Sequence, residues 1–232
     1  MNRRLVTDRV VDHLLVAHPG DRPLRVGVDG ITAAGKTTWA DELATALHTR
    51  GSPALHLTLD GFHHPRARRY RQGRTSPAGY YADAYDVAAL ADHVLVPLGP
   101  GGSRQIRTRV HDLATDQSID EPPETVPPEA VVLVDGTFLQ RPELAGHWDQ
   151  VIYVDADPTV ARARARQRDA ALFGSPEAVE KLYATRYHPA CALYIAEVDP
   201  VGHADIVIGN DDLDRPKLRR SSRRPIRSTV RS

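Results

Sequence analysis

Apolar positions along the chain fall into two alternating patterns. Runs of β-branched and aliphatic residues at Leu24 to Gly30, Ala54 to Asp60, Ala130 to Gly136, Gln150 to Ala156 and Ala204 to Asn210 are apolar almost throughout and stop at or beside Asp, Gly or Asn. Such runs are strands covered on both faces, since a strand with one wet face alternates with period two. Between them, residues 35–50, 86–98 and 157–172 repeat their apolar positions at helical spacing, and two of these segments carry an Asp near the start that can cap a first turn. Residues 1–20 repeat apolar positions at the same spacing and mix acids with arginines, which predicts an amphipathic helix and not a signal peptide. Strands alternating with helices predict an α/β fold, a five-stranded parallel sheet sandwiched by helices.

Two segments break the alternation. Residues 99–128 open on GPGGS and close on a proline-rich return, predicting an extended hairpin or flap insertion. Residues 211–232 are polar and Arg/Ser-rich, predicting a basic disordered tail on a single domain spanning 1–210.

The length of 232 residues and 41% hydrophobic content suffice for one large core. Formal charge is zero, but Arg215 to Ser232 holds eight Arg/Lys and no acid, so the basic character is local. That tail lacks interleaved aromatics and any recognition module, which disfavours nucleic acid as the partner. Cys191 is the single cysteine, excluding an intramolecular disulfide framework. No apolar run approaches the ~20 residues of a membrane span, and a cytoplasmic protein is expected, with homo-oligomerisation left open.

The chemistry concentrates where strands end. Gly30, Gly35, Lys36 and Thr37 satisfy G-x-x-x-x-G-K-[ST], with a strand before and a helix after. Glycines let successive backbone N–H groups turn around phosphate oxygens, and the helix start adds its positive end. Gly30, Ala33, Ala34, Gly35, Lys36, Thr37 and Thr38 are therefore expected to cradle the phosphates of ATP, with Thr37 offering its hydroxyl to Mg²⁺. Asp135 ends the run VVLVD and is a candidate to hold the metal with Thr37. Asp60 also ends a strand, and a carboxylate beside the γ-phosphate can accept the proton of an attacking hydroxyl. His63 and His64 follow it without a third ligand nearby, so substrate contact by one of them is favoured over a metal pair. Arg66, Arg68, Arg69, Arg71 and Arg74 crowd the same stretch and could receive an anionic acceptor or form a solvated helix. Arg164 and Arg168 share one helix face, where lid cations for the phosphates are expected.

With GITAAGKTT, DGFHHP, AYD at Ala84 to Asp86, VVLVDG, RQRD and YHPA in place, the chain resembles the uridine kinase, phosphoribulokinase and pantothenate kinase group of P-loop kinases. The resemblance extends from about Leu24 to Asn210. It implies an NMP-kinase-like P-loop NTPase fold with a lid and a hairpin insertion, and transfer of the γ-phosphate of ATP to a hydroxyl of a small molecule. It also implies Asp60 as base, Lys36 and Thr37 on phosphate and Mg²⁺, and Arg168 as a catalytic lid residue, while Arg164, on the same helix face as Arg168, is expected toward the nucleotide. His63, Tyr85, His111 and Arg74 are the expected acceptor contacts. A nucleoside is the leading acceptor, with pantothenate, a sugar or a sugar phosphate as alternatives. A nucleotide-dependent switch protein with a tail on nucleic acid is a reading of another class. The sequence departs from uridine kinases in two places. The flap offers His111, Leu113 and Asp116 instead of an aromatic-rich hairpin, and FGS stands where the lid has an arginine pair around a glycine.

Overall fold

The computed structural model describes residues 1–220. Its central sheet has six strands: β1 Leu24–Gly30, β2 Ala54–Thr58, β3 Val131–Asp135, β4 Gln150–Asp155, β5 Ile206–Gly209 and β6 Lys217–Arg220. Their order across the sheet is β6-β5-β4-β1-β3-β2. The first five are parallel, and β6 closes the edge antiparallel to β5. The expected five-stranded parallel sheet thus gains a sixth, antiparallel strand, and the expected tail starts too early. Pro216 to Arg219 alternates apolar and polar residues, with Leu218 packing against the core, and the exposed Lys217 and Arg219 guard this short edge against further pairing. Residues 221–232, the rest of the expected tail, lie outside the described residues.

Helices cover both faces of the sheet. The main ones are α1 Arg3–Ala17, α2 Lys36–Thr49, α3 Pro77–Asp83, α4 Pro158–Arg168 and α5 His188–Val198. In α1 the Asn2 side chain accepts from the Leu5 N–H, and Val6, Val10, Val11 and Leu14 form the buried stripe that 3.6-residue periodicity demands. β1 and β3 are buried along their whole length, as expected for central parallel strands.

The 86–98 segment is helical only over Val87–Leu90 before one wide π turn at Ala91–Leu95. A second π turn, Tyr183–Tyr187, runs directly into α5. Pro189 in the first turn of α5 has no N–H to give to Thr185, and the ladder widens there. The 99–128 insertion is an extended hairpin with two short antiparallel pairs, Gln105–Ile106 with Glu124–Thr125 and His111–Asp112 with Gln117–Ser118. Among the described residues, no helix is long and apolar enough to cross a membrane.

Candidate active site

The carboxyl edge of β1, β3 and β2 brings the expected chemistry together. Register places Asp135 beside Val28 on one side and Thr58 on the other, so the loop after β1, Asp135 and Asp60 occupy neighbouring strand ends. The loop turns through left-handed conformations at Ala33 (φ 66°) and Gly35 (φ 99°). A Cβ on Gly35 would lie 2.7 Å from Asn210 Nδ2, so both conformation and space call for glycine there. Gly35 leaves α2 without a side-chain cap. Among the described residues, Trp39 is the first of this helix with a backbone acceptor for its N–H, donating to the Gly35 carbonyl. The N–H groups of the turn before it are the anion-binding feature of a helix start.

Lys36 is buried, and its Nζ donates to the Ile31 carbonyl at 2.9 Å. Burial lowers its pKa, against the pull of Asp135, Asp29 and Asp60. Phosphate oxygens in the loop would replace that carbonyl as the partner of the ammonium. Thr37 Oγ1 donates to Asp135 Oδ2 at 2.7 Å. This hydroxyl–carboxylate pair fits Mg²⁺, a hard cation that takes one or two protein oxygens and completes its shell with phosphate and water. No cluster of three or more acidic, His or Cys side chains suited to a metal exists among the described residues.

Asp60 lies in the short turn Leu59–Phe62, where its N–H donates to Thr58 Oγ1 at 3.3 Å. The turn is pinned by His64 N–H to the Ala84 carbonyl and Asp86 N–H to the Phe62 carbonyl, so DGFHHP and AYD form one unit. The flap closes over it. Val110 N–H donates to the Gly61 carbonyl, and a Cβ on Gly61 would meet the Arg109 Cβ at 2.9 Å. His63 Nδ1 lies 2.9 Å from the Ala84 carbonyl, which accepts only, so this nitrogen carries a proton. Nε2 then faces Asp60 Oδ1 at 3.4 Å. Its surroundings push the Asp60 pKa up by desolvation, but the His63 bond and the charges of His63 and Lys36 outweigh this and hold the carboxyl below its ordinary range. His64 turns elsewhere, toward Asp86 at 3.3 Å, so the two histidines do not share a ligand.

Arg164 donates through one Nη to the Asn210 and Asp211 carbonyls at 2.7 and 2.8 Å, bracing the chain after β5, while its other Nη is buried without a hydrogen-bond partner. Arg168 is joined to Asp169 through two bonds of 2.6 and 3.0 Å, and Asp169 in turn accepts from the Tyr183 hydroxyl. His111 is buried in the flap with Nε2 at 3.1 Å from Asp116, so the flap's own carboxylate occupies it. Tyr85 is buried and stacks on His63 at 4.4 Å between ring centroids. Arg74 is exposed, its guanidinium 4.8 Å over the Tyr70 ring. Thr38 is exposed in the first turn of α2.

Three residues outside the expected set complete the site. His56 in β2 bridges Asp135 Oδ1 (2.9 Å) and Asp41 Oδ1 (2.7 Å). Both partners are carboxylates, so both ring nitrogens donate; burial lowers its pKa, but the two bonds outweigh that and raise it. Asn210 Nδ2 donates to the Ala34 carbonyl at 2.7 Å. Asp29, fully buried, accepts from the Gly30 N–H, Gln140 Nε2 and the Tyr194 hydroxyl, fixing the entry to the loop.

Comparison with known proteins settles the family. Residues 26–211 match the model of the Phosphoribulokinase / Uridine kinase family. The chain belongs to that family. In it the loop after β1, Asp135 and Asp60 stand together at one sheet edge. A pantothenate kinase of Rhodopseudomonas palustris (strain BisB5) is 28% identical over 181 residues, covering 72% of this chain and 56% of that protein. A uridine kinase of Leuconostoc citreum (strain KM20) is 27% identical over 158 residues, covering 65% of this chain and 70% of that one. The chain thus spans little more than half the length of the pantothenate kinases it matches. Among solved structures, a Bacillus stearothermophilus chain described as a possible uridine kinase shares the fold with a TM-score of 0.67 at 24% identity, covering 88% of this chain and 97% of that one. Phosphoribulokinase from Rhodobacter spheroides shares it with a TM-score of 0.57 at 18% identity, covering 82% and 70%.

Proposed function

We propose that the protein transfers the terminal phosphoryl group of ATP to a hydroxyl of a small molecule, with Asp60 as the base. The observation that carries this reading is the Asp60–His63 pair, held on the same sheet edge as Lys36 and the Thr37–Asp135 pair. Asp60 is ionised at neutral pH and accepts the proton of the acceptor hydroxyl as its oxygen bonds to the γ-phosphorus. The bond from that phosphorus to the β–γ bridging oxygen breaks, and ADP leaves. Lys36 and the loop N–H groups hold the phosphate charge. Thr37 and Asp135 would hold Mg²⁺, which when bound offsets the charge between the β- and γ-phosphates. Arg168 is the lid cation in this reading and would exchange Asp169 for phosphate. A nucleoside acceptor, the leading choice from resemblance, and the alternatives of pantothenate, a sugar or a sugar phosphate share this chemistry. Relatives named pantothenate kinase and uridine kinase support it.

ADP release should depend on an added acceptor. Asp60→Asn should keep ATP affinity within about twofold while kcat falls about 100- to 10,000-fold. Undiminished turnover in that variant would remove Asp60 from the mechanism. Because Asp60 is held below the ordinary carboxylate range, the pH profile of kcat/KM should show no acid limb from it above about pH 4.

A further inference from the structure

The wall beyond His63 is built from tyrosines and guanidinium groups. Tyr85 stacks on His63, and its hydroxyl lies 3.1 Å from that of Tyr80. Against Tyr80 stands Arg186, carried by the π turn Tyr183–Tyr187. Arg186 is only 5% exposed, and its Nε has no hydrogen-bond partner. Its guanidinium lies 4.9 Å from the Tyr70 ring, 5.1 Å from Tyr80 and 5.5 Å from Tyr187, and it forms no ion pair with a carboxylate among the described residues. Arg69, 7% exposed and also with an unpartnered Nε, approaches Tyr70 at 5.4 Å, with one Nη bonded to Asp116. Arg74 is the third guanidinium at that ring.

The buried Arg186 guanidinium gains cation–π attraction from these rings and a hydrogen bond to the Tyr70 hydroxyl, but its Nε still lacks an acceptor. The nearby acids are already engaged: Asp116 by Arg69 and His111, Asp83 by Arg71 and Gln72. The excess positive charge reaches the Tyr70 hydroxyl. Burial pushes its pKa up, but Arg186, aided by Arg69 and Arg74, outweighs this and lowers it.

Resting on the kinase reading above, we infer that Arg186, beside Tyr70 and Arg69, anchors an oxyanion on the acceptor, so that the substrate is a hydroxylated small molecule bearing a carboxylate or a phosphate. Two tyrosine rings separate Arg186 from His63, and a small molecule spanning them presents its hydroxyl to Asp60 while its anion meets the guanidinium fork. Arg186 is thus a specificity-determining residue, and a neutral nucleoside leaves its Nε without an acceptor.

The test measures ADP release by the wild-type chain with D-glycerate and pantothenate as hydroxy-carboxylates, ribose 5-phosphate and ribulose 5-phosphate as sugar phosphates, and uridine, ribose and fructose as neutral acceptors. An anionic acceptor should exceed every neutral one in kcat/KM by at least about 100-fold, and the carboxylate and phosphate arms tell the two sources apart. Arg186→Gln should raise KM for that acceptor about 10- to 100-fold with kcat and KM for ATP nearly unchanged. Arg186→Lys, which keeps the charge without the fork, should recover part of the loss and serves where the Gln variant melts early. Preference for a neutral acceptor, or an unchanged KM in a folded Arg186 variant, overturns the inference while leaving the kinase reading intact. Absence of acceptor-dependent ADP release across the whole panel overturns both.

Discussion

His56 shows what a single side chain adds to the phosphate edge. Asp135 has two carboxylate oxygens; Thr37 occupies one and His56 the other, while Asp41 holds the far side of the imidazole. The ring therefore fixes the rotamer in which Asp135 presents itself to Thr37, the role that outer hydrogen-bond partners play at metal sites. His56→Leu should keep the fold, since β2 is half-buried there, and should raise the Mg²⁺ concentration needed for half-maximal turnover about 10-fold or more. An unchanged Mg²⁺ titration would reduce His56 to packing. Asp60 and Asp135 are legible in the sequence because each stands where an apolar run stops, and Lys36 because it belongs to the G-x-x-x-x-G-K-[ST] pattern between a strand and a helix. His56 is not, because it sits inside such a run, where only alternation with its neighbours separates a wet face from a buried one. Arg186 is hidden for a related reason. Sequence shows an arginine beside Tyr187, but not that a π turn presses it against the Tyr70 and Tyr80 rings brought from other segments.

At the scale of elements, the phosphate loop is shaped by its neighbours as much as by its glycines. Asn210, at the end of β5, ties the Ala34 carbonyl, while Arg164 of α4 holds the backbone of Asn210 and Asp211. A helix and a strand end distant in sequence thereby brace one turn of chain. Helical spacing correctly puts Arg164 and Arg168 on α4, but spacing says which residues share a face and nothing about what that face meets. Arg164 meets carbonyls, and Arg168 meets Asp169. Removing the brace leaves the buried Ala34 carbonyl without its donor. Asn210→Ala should cost about 1–3 kcal/mol in unfolding free energy and raise KM for ATP several-fold, as the loop loses its held conformation. Denaturant unfolding and ATP kinetics on the same preparation check both; a variant that loses stability with an unaltered KM for ATP would show that the loop holds its shape alone.

Across the whole molecule, the site depends on strands of the sheet staying in register, and one partly buried charge cluster ties β1 into its surroundings. Asp149, just before β4, accepts from Arg22 at 2.7 and 2.8 Å and from Arg25 side-chain nitrogens at 2.9 and 3.0 Å, and also takes the Arg25 backbone N–H at 2.9 Å. Arg25 continues to the Leu95 carbonyl in the first π turn, Ala91–Leu95, so the cluster links β1, the approach to β4 and the helical layer. Burial of Asp149 pushes its pKa up, but the bonds to Arg25 and Arg22 outweigh it and bring the value down to about 2, from 3.8. A folded-state pKa below the unfolded one means stability that is complete above the unfolded value and lost as pH falls through the folded one. The shift corresponds to about 2 kcal/mol, with the side chain only 15% exposed. Asp149→Asn should therefore be less stable than the wild type by at least about that amount near pH 6, where urea unfolding is the readout. The gap should narrow between about pH 4 and pH 2, because the wild-type carboxylate is protonated across that window and loses the same interactions. A gap that keeps its full size down to about pH 2 would mean that the asparagine disturbs packing and that the charge of Asp149 contributes little to holding β1 and β4 together.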